Sequence, residues 1–433
     1  MAQPTTDLCL SAASVLFNLP DYHVSEVNRD DEGHRLVVIT TPATEAPCPE
    51  CGVYSTRVHQ RTRQRLKDVA FDGHVSVEWI KKRWRCAEPL CGRATFTEHT
   101  EQVPPRSRLT QRLREAITDA VAGEVRAVGR VAEQFGVSWP TVQKMIRDAT
   151  ARLENARADR PRLVRHLGID EHRFRSVRWY KNDAGGWQRI EPWMTTMVDL
   201  DTGAVIDVVD GRNSDSVARW LAAKPKWWRR RVKAVAIDPS APFRAAVRYW
   251  LPKAKVSVDH FHLVKLANDM VTAVRRRVSW DRYDRRGRKQ DPAWAHRLLL
   301  LRGYNSLSQR GRDKLEHILL SDDPTDEIGA AWGVKEQLRI LLACTTVAAA
   351  RQAKTRFDTY IGLADLPEAT RLQKTINAWW KEIEVFIATR VTNARTEAAN
   401  VTIKNNKRTG RGYRSTINYR SRIMLYNATR SAA

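Results

Sequence analysis

The chain has 433 residues, with 74 Lys and Arg against 49 Asp and Glu, a formal balance of +25, and a hydrophobic content of 42%. At about 150 residues per domain this length predicts two to four domains with ordinary cores. A surplus of like charge repels itself in the compact state and is neutralised by a polyanion with release of counterions, so it points to nucleic acid as partner. A membrane is excluded, because no apolar run nears the roughly 20 residues that span a bilayer, and residues 298–301 fall far short. Asp7 precedes the mildly apolar segment 8–19, which argues against a secretory signal and for the cytoplasm.

Of six cysteines, four fall as two close pairs, Cys48-Pro-Glu-Cys51 and Cys86-Ala-Glu-Pro-Leu-Cys91, with Cys9 and Cys344 isolated. The segment between the pairs reads as strands over 75–80 and 82–85. Two such knuckles joined by a hairpin can set four thiolates tetrahedrally around one structural zinc ion, at about 2.3 Å each. This spacing predicts a zinc ribbon with Cys48, Cys51, Cys86 and Cys91 as ligands, and leaves His59 and His74 as spare candidates.

After Pro104-Pro105 the pattern turns helical, with Leu109, Leu113, Ile117, Ala120 and Val121 at three- and four-residue steps. A helix then stops at Gly136 and another starts after Ser138, which predicts a helix-turn-helix. Ser138 is placed to cap the second helix, Pro140 suits its first turn, and Val142 and Ile146 turn inward. Trp139, Thr141, Gln143, Lys144 and Arg147 are then expected to face the groove or phosphates of double-stranded DNA.

Strands are predicted over 163–169, ending at Asp170, and over 193–200, 204–209 and 232–237, ending at Asp238. Helices follow over 214–223 and 243–251, and a further strand over 255–258. This order is that of a ribonuclease-H-like α/β fold, in which the first and fourth strands lie side by side and acids at their ends meet. Two-metal phosphoryl transfer needs such a cluster, with ions about 4 Å apart, and oxygen ligands suit Mg2+ or Mn2+. The third acid is expected on a later helix, where Glu397 heads a basic stripe containing Asn400, Lys404, Lys407 and Arg408. No acid follows Glu397, and this stripe with Arg411 is suited to hold DNA phosphates beside the cut.

The motifs Gly-Ile-Asp170-Glu-His, Val-Ala-Ile-Asp238-Pro-Ser, Val-Asp259-His-Phe-His262-Leu-Val-Lys and Thr392-Asn-Ala-Arg-Thr-Glu397-Ala-Ala-Asn400 together resemble those of the insertion-sequence transposases of the ISL-three family. The resemblance runs over nearly the whole chain, with Ala394 and Ala398 standing where glycines are common. It implies a zinc ribbon and helix-turn-helix before a DDE catalytic domain, with Asp170, Asp238 and Glu397 as the triad. It further implies binding to inverted terminal repeats and target DNA, hydrolysis followed by transesterification, a homodimer on DNA, and a place on the bacterial nucleoid.

Asp259 also ends a strand and is either a second metal-ligand candidate or a cap for the helix after it. His262 reads as a side chain in the protein interior or a phosphate contact. Glu171 is expected on the opposite side of its strand from Asp170, while Glu382 and Glu384 are rivals for the third acid. Trp379-Trp380 fits core filling better than base stacking. The expected segments are an amino-terminal region over 1–100 with the zinc ribbon, a helix-turn-helix over 101–160, and the first part of the catalytic core over 161–264. An α-helical insertion over 265–390, with basic runs at 275–277 and 285–289 that could clamp DNA, precedes the catalytic helix and basic tail over 391–433. A DNA-binding regulator derived from an inactive transposase is the non-enzymatic alternative, and a nuclease on the same fold is a third reading.

Overall fold

The structure is a computed structural model that describes residues 12–432 except 30, 32, 71, 72 and 74, so Cys9 and His74 lie outside the described residues. The chain falls into two compact units, Met1–Asn155 with Thr409–Arg411 and Ala428–Ala433, and Ala156–Arg408 with Gly412–Asn427. No helix among the described residues is long and apolar enough to cross a membrane.

The first unit opens with α1 (Ala12–Phe17), β1 (His23–Arg29) and β2 (Arg35–Thr40), followed by the short pair β3 (Ala46–Pro47) and β4 (Tyr54–Ser55), then β5 (Val58–Leu66), β6 (Val75–Arg85) and β7 (Thr95–Thr97). Its main sheet runs β1-β2-β6-β5, with β7 also on β6. The two strands expected over 75–85 are one. Val75, Val77 and Trp79 alternate onto a core with Val37, Ile39 and Leu66, while Trp84 turns to a separate cluster with Phe96 and Cys48. A change of buried face along one strand breaks the two-residue period, and the break reads in sequence as a gap between strands.

The cysteine knuckles lie beside that second cluster. Gly52, at φ +76°, closes the first turn by donating its N–H to the Cys48 carbonyl at 2.9 Å. The sulfurs of Cys48 and Cys91 are 3.9 Å apart and those of Cys51 and Cys86 3.6 Å, with all four mutually within 4.8 Å. A tetrahedron with legs of about 2.3 Å has edges of about 3.8 Å, so the four thiols fit a zinc ion. The N–H of Cys51 is the main influence that draws the Cys48 thiol down to about 7, toward the thiolate that zinc takes. His59 is exposed on β5 and stands outside this cluster.

The unit ends in α2 (Gln111–Ala122), α3 (Val128–Gln134) and α4 (Trp139–Asp159). Thr110 caps α2, and its hydroxyl donates to Asp68, which also holds the Arg112 guanidinium. Gly136, at φ +59°, makes the turn into α4, and Ser138 accepts the Thr141 N–H at 3.3 Å. Trp139, Lys144 and Arg147 are exposed and Thr141 half-buried. Gln143 corrects the expectation, being only 4% exposed. With Val142, Met145, Ile146 and Thr150 also buried, the inward arc of α4 is wide enough to take in position 143, which lies within about 60° of 146 on a helix.

The second unit is built on β8 (His166–Arg173), a hairpin of β9 (Arg178–Lys181) and β10 (Trp187–Ile190), β11 (Trp193–Asp199), β12 (Val205–Asp210), α5 (Ser214–Ala222), α6 (Lys226–Arg231), β13 (Ala234–Ile237), α7 (Ala241–Trp250) and β14 (Lys255–Val258). The five-stranded sheet runs β12-β11-β8-β13-β14, antiparallel up to β8 and parallel beyond it. Eight helices follow: α8 (His260–Tyr283), α9 (Pro292–Ala295), α10 (Arg297–Leu301), α11 (Gln309–Asp322), α12 (Glu327–Ala343), α13 (Val347–Ala364), α14 (Pro367–Ala378) and α15 (Trp380–Thr389). The chain then returns to the sheet with α16 (Ala394–Thr409) and ends in α17 (Thr416–Ala432). One apolar cluster runs from Leu167 and Ile237 on the sheet through Leu263 and Val271 on α8 to Leu338, Phe357 and Ile383, so the helices share a core with the sheet.

Because metal binding and folding are coupled in a four-cysteine ribbon, Cys86→Ser is expected to lose the zinc equivalent bound by the parent and to unfold the knuckles while β8–β14 stay protected. Elemental analysis with hydrogen exchange checks this, and full zinc content in the variant would show that the cysteines do not hold the ion.

Candidate active site

The parallel pairing of β8 with β13 sets Ile169 opposite Ile237, so Asp170 and Asp238 leave neighbouring strands side by side. Asp238 follows the last residue of β13, whereas β8 continues three residues past Asp170 to Arg173. Asp259 follows β14 and takes its N–H to the Ile237 carbonyl at 2.9 Å. Three adjacent strands thus bring three aspartates together toward their carboxyl-terminal ends.

His262, on the first turn of α8, lies between these acids. Its Nε2 is 3.0 Å from Asp238 Oδ2 and its Nδ1 3.1 Å from Asp259 Oδ2, with Glu397 Oε1 3.9 Å from Nδ1. A ring that donates from both nitrogens is an imidazolium, and the Asp259 hydrogen bond, outweighing burial, together with the Asp238 charge holds the His262 pKa above its ordinary value. Asp259 occupies the N-cap position of α8, but its side chain makes no capping hydrogen bond. It is fully buried, and its oxygens are taken by His262 and by the Asn393 N–H at 3.4 Å. Burial opposes its charge, yet those two hydrogen bonds prevail and keep it below the usual carboxylate range. Burial and then the neighbouring Asp170 push Asp238 well above that range. Burial, with the Asp259 and Asp170 charges, raises Glu397 as well.

Glu397 lies in the first turn of α16, where the helix dipole favours a negative charge, and its side chain is 41% exposed. Asn393, just before this helix, gathers the site: its amide donates to the Ile169 carbonyl at 3.1 Å and to Asp238 Oδ1 at 3.2 Å. Gly168 admits α16, since a Cβ there would meet Thr396 Oγ1 at 2.0 Å and Asn393 Oδ1 at 3.0 Å. In the sequence Asn393 stood only as part of the motif around Glu397, with no role assigned to it.

Asn400 is withdrawn from the expected DNA face. It is 2% exposed and donates its amide to Asp170 Oδ2 at 2.7 Å. Its carbonyl accepts from Thr196 Oγ1 at 2.7 Å, Thr196 is 3.0 Å from His172 Nδ1, and His172 Nε2 is 3.1 Å from the Tyr419 hydroxyl. Burial, reinforced by Lys407 and Lys404, lowers the His172 pKa to about 3, so the ring is neutral and the chain has one direction. Tyr419 O–H donates to His172 Nε2, His172 Nδ1–H to Thr196, Thr196 O–H to Asn400, and Asn400 N–H to Asp170. Thr196 and Tyr419 carried no sequence signal, and His172 stood only as the last residue of the Asp170 motif, because the three sit on different elements.

Along α16 the exposed line is Val401, Lys404 and Arg408, four, seven and eleven residues after Glu397. Lys407 turns aside and donates to the Arg173 carbonyl at 2.8 Å, while Arg411 is exposed beyond the helix. The rival acids are engaged elsewhere, Glu382 with Arg244 and Arg248 and Glu384 with Arg351 at 2.7 Å. Trp379 is buried, with the Arg244 guanidinium 4.0 Å from its ring centre, and so is core rather than a base platform. Among the basic runs of the helical segment, Arg275 is buried, Arg277 is neutralised by Glu327 and Glu368, and Arg285 by Asp291. Glu171 donates its N–H to Asp170 Oδ1 at 2.7 Å, and burial, with the Asp170 charge, holds the pKa of its own carboxyl above the ordinary value.

Asn400→Leu is expected to lower stability by about 1–3 kcal/mol, because Thr196 and Asp170 lose a buried partner, whereas Lys404→Ala at an exposed position should stay within about 0.5 kcal/mol of the parent. Denaturant unfolding decides it, and equal midpoints for the two variants would refute the buried chain of hydrogen bonds.

Three family models match the chain. One described as Transposase covers residues 167–423, one described as Helix-turn-helix domain of transposase family ISL3 covers 98–150, and one described as zinc-finger of transposase IS204/IS1001/IS1096/IS1165 covers 44–91. The transposase for insertion sequence element IS1001 of Bordetella parapertussis is 23% identical over 392 residues, which span 89% of this chain and 90% of that protein. The match over residues 167–423 takes in more than half of the chain and all the acids described above, and with the two amino-terminal matches in the same order the chain belongs to the ISL3 family of transposases.

Proposed function

We propose that this transposase binds the inverted terminal repeats of its insertion sequence and catalyses metal-dependent cleavage and transfer of DNA strands, with Asp170, Asp238 and Glu397 as the catalytic triad. The observation that carries this reading is the pairing of β8 with β13, which sets Asp170 beside Asp238, together with the approach of Glu397 to the same histidine. The strand order and directions of the five-stranded sheet support a ribonuclease-H-like core, with α8–α15 as a helical insertion before its last helix.

The donor set fits divalent cations. Crowded carboxylates that raise one another's pKa have an unmet need for positive charge, and their oxygen ligands suit Mg2+ or Mn2+. When bound, a pair of such ions activates the attacking oxygen and stabilises the leaving one. Asp170, Asp238 and Glu397 would hold them, since each is partly open to solvent, whereas Asp259 is fully buried. Asp259 then serves to orient His262, and His262 balances the acids. Asn400 fixes the Asp170 carboxylate, and Asn393 fixes Asp238. Lys404 and Arg408, exposed on the face that Glu397 heads, are set to contact backbone phosphates of the bound strand. Two inverted ends give the DNA complex a twofold axis, which a homodimer matches, and the substrate places the work on the bacterial nucleoid. The intact acid cluster disfavours a regulator without chemistry.

Asp170→Asn, Asp238→Asn and Glu397→Gln are each expected to abolish cleavage and joining while retaining terminal-repeat binding. Removing a ligand charge forfeits several kcal/mol, about 10³-fold or more in rate. Glu384→Gln, which loses only the partner of Arg351, should stay active. A gel assay with Mg2+ or Mn2+ distinguishes them, and a cleaving Glu397→Gln protein beside a dead Glu384→Gln protein would move the third acid to α15.

For recognition, Lys144→Ala and Arg147→Ala should weaken binding to the element's ends, by about 1–3 kcal/mol where the side chain reaches a base edge and with a reduced salt slope where it meets a phosphate. Parent-like binding by both variants at every salt concentration would remove α4 as the reading helix.

A further inference from the structure

The hairpin β9–β10 was absent from the sequence expectation and has no role in the chemistry above. It forms a two-stranded sheet of its own, and every residue of both strands is exposed. Its turn is well made: Asn182 N–H donates to the Gly186 carbonyl at 2.8 Å, and Asn182 Oδ1 accepts the Gly186 N–H at 2.7 Å. An isolated two-stranded hairpin is only marginally stable in water. Yet this one exposes Trp179 by 57%, Trp187 by 64% and Tyr180 by 41%, at a cost in hydrophobic free energy for each ring left in water.

Register shows what the hairpin presents. Trp179 stands opposite Arg189 and Lys181 opposite Trp187. Directly opposed residues share a face of an antiparallel pair, as do residues two apart on one strand. One face therefore carries two tryptophans and two cations in a checkerboard, with the Lys181 ammonium 5.7 Å from the Trp187 ring centre. Arg189 is partly engaged by Glu191 at its base, and Arg178 lies on the opposite face with Tyr180. Cations interrupt the rings, so there is no continuous apolar patch of the kind that buries against protein. Rings for bases, interleaved with cations for phosphates, are what single-stranded nucleic acid requires. The hairpin is joined to β8 by residues 174–177 and to β11 by residues 191–192, and these are the strands that pair Asp170 with Thr196. It is the outward continuation of the element that carries the first acid.

We propose that the β9–β10 hairpin binds unpaired nucleotides of the DNA at the active site, with Trp179 and Trp187 stacking on bases and Lys181 and Arg189 lying along the backbone. This rests on the reading of the chain as a DNA strand transferase at the level of its substrate, and it assigns the hairpin a preference for frayed or single-stranded ends that the helix-turn-helix does not supply.

The test measures binding by the full-length zinc-loaded protein, without divalent metal beyond zinc, to three probes: a terminal-repeat duplex, the same duplex with a short unpaired tail, and an oligothymidylate. The parent should favour the tailed duplex over the blunt one and should show tryptophan quenching with oligothymidylate. Trp179→Ala and Trp187→Ala should each lose about tenfold in affinity for the two unpaired probes with blunt-duplex binding unchanged, while Trp187→Phe, which keeps a ring, should retain most of it. A parent without preference for the tailed duplex, or alanine variants that bind all three probes as the parent does, would overturn the proposal. So would alanine variants whose only change is in oligomeric state, since the face would then meet a second copy of the chain. Cleavage is scored separately: a protein that never cuts but keeps the tryptophan-dependent preference would refute the strand-transfer reading and leave the hairpin's role standing.

Discussion

Four carboxylates drawn from four segments of chain are held together against their mutual repulsion, and the second unit is organised around that constraint. Asp170, Asp238 and Asp259 come together toward the carboxyl-terminal ends of β8, β13 and β14 because these strands are parallel neighbours, and Glu397 is added from α16. Left in a poorly hydrated site, such charges would protonate or force the elements apart. The imidazolium of His262 answers part of the repulsion, the start of α16 favours Glu397 through its dipole, and Asn393 and Asn400 donate to Asp238 and Asp170. What remains unbalanced is a demand for positive charge, which the divalent ions of the proposed mechanism would meet.

Holding Glu397 in place requires α16 to lie against the sheet after a long excursion of the chain. The eight helices before it do not form a separate body, because their apolar side chains continue the cluster that underlies the sheet. Ser257 on β14 donates to the Val391 carbonyl at 2.6 Å, and the absence of a side chain at Gly168 lets the first turn of α16 approach β8. The buried line from Tyr419 to Asp170 then ties α17, β8, β11 and α16 to one carboxylate. A polar chain of this kind is stable only when every member is satisfied, and its single direction, set by a neutral His172, meets that condition.

The net charge of +25 is sorted by the fold. In the helical segment, arginines at 277, 285 and 351 are matched by acids and support structure. Exposed cations include Lys144 and Arg147 on the outward face of α4, Lys404 and Arg408 on the line that continues from Glu397, and Arg178, Lys181 and Arg189 on the β9–β10 hairpin. On the proposed reading these three groups would meet base edges, phosphates beside the cut, and unpaired bases respectively. The same total charge spread evenly would bind DNA without orienting it.

Periodicity and spacing pointed to the strands of the second unit's five-stranded sheet, the helices of the helix-turn-helix, the two cysteine knuckles, and Asp170, Asp238 and Glu397 as candidate acids, because those signals are local: alternation, helical repeat, turn residues and short intervals. What only tertiary structure decided depends on which faces meet. Gln143 and Asn400 fall at helical positions that look outward until the full width of the buried arc is seen. Asp259 looks like a cap until His262 and Asn393 are found on its oxygens. β6 looks like two strands because it serves two cores, and the paired residues of β9 and β10 show one face only when their register is known. In each case the deciding partner lies far along the chain or across a strand, and a side chain's environment, unlike its propensity, is a property of the contacts that folding creates.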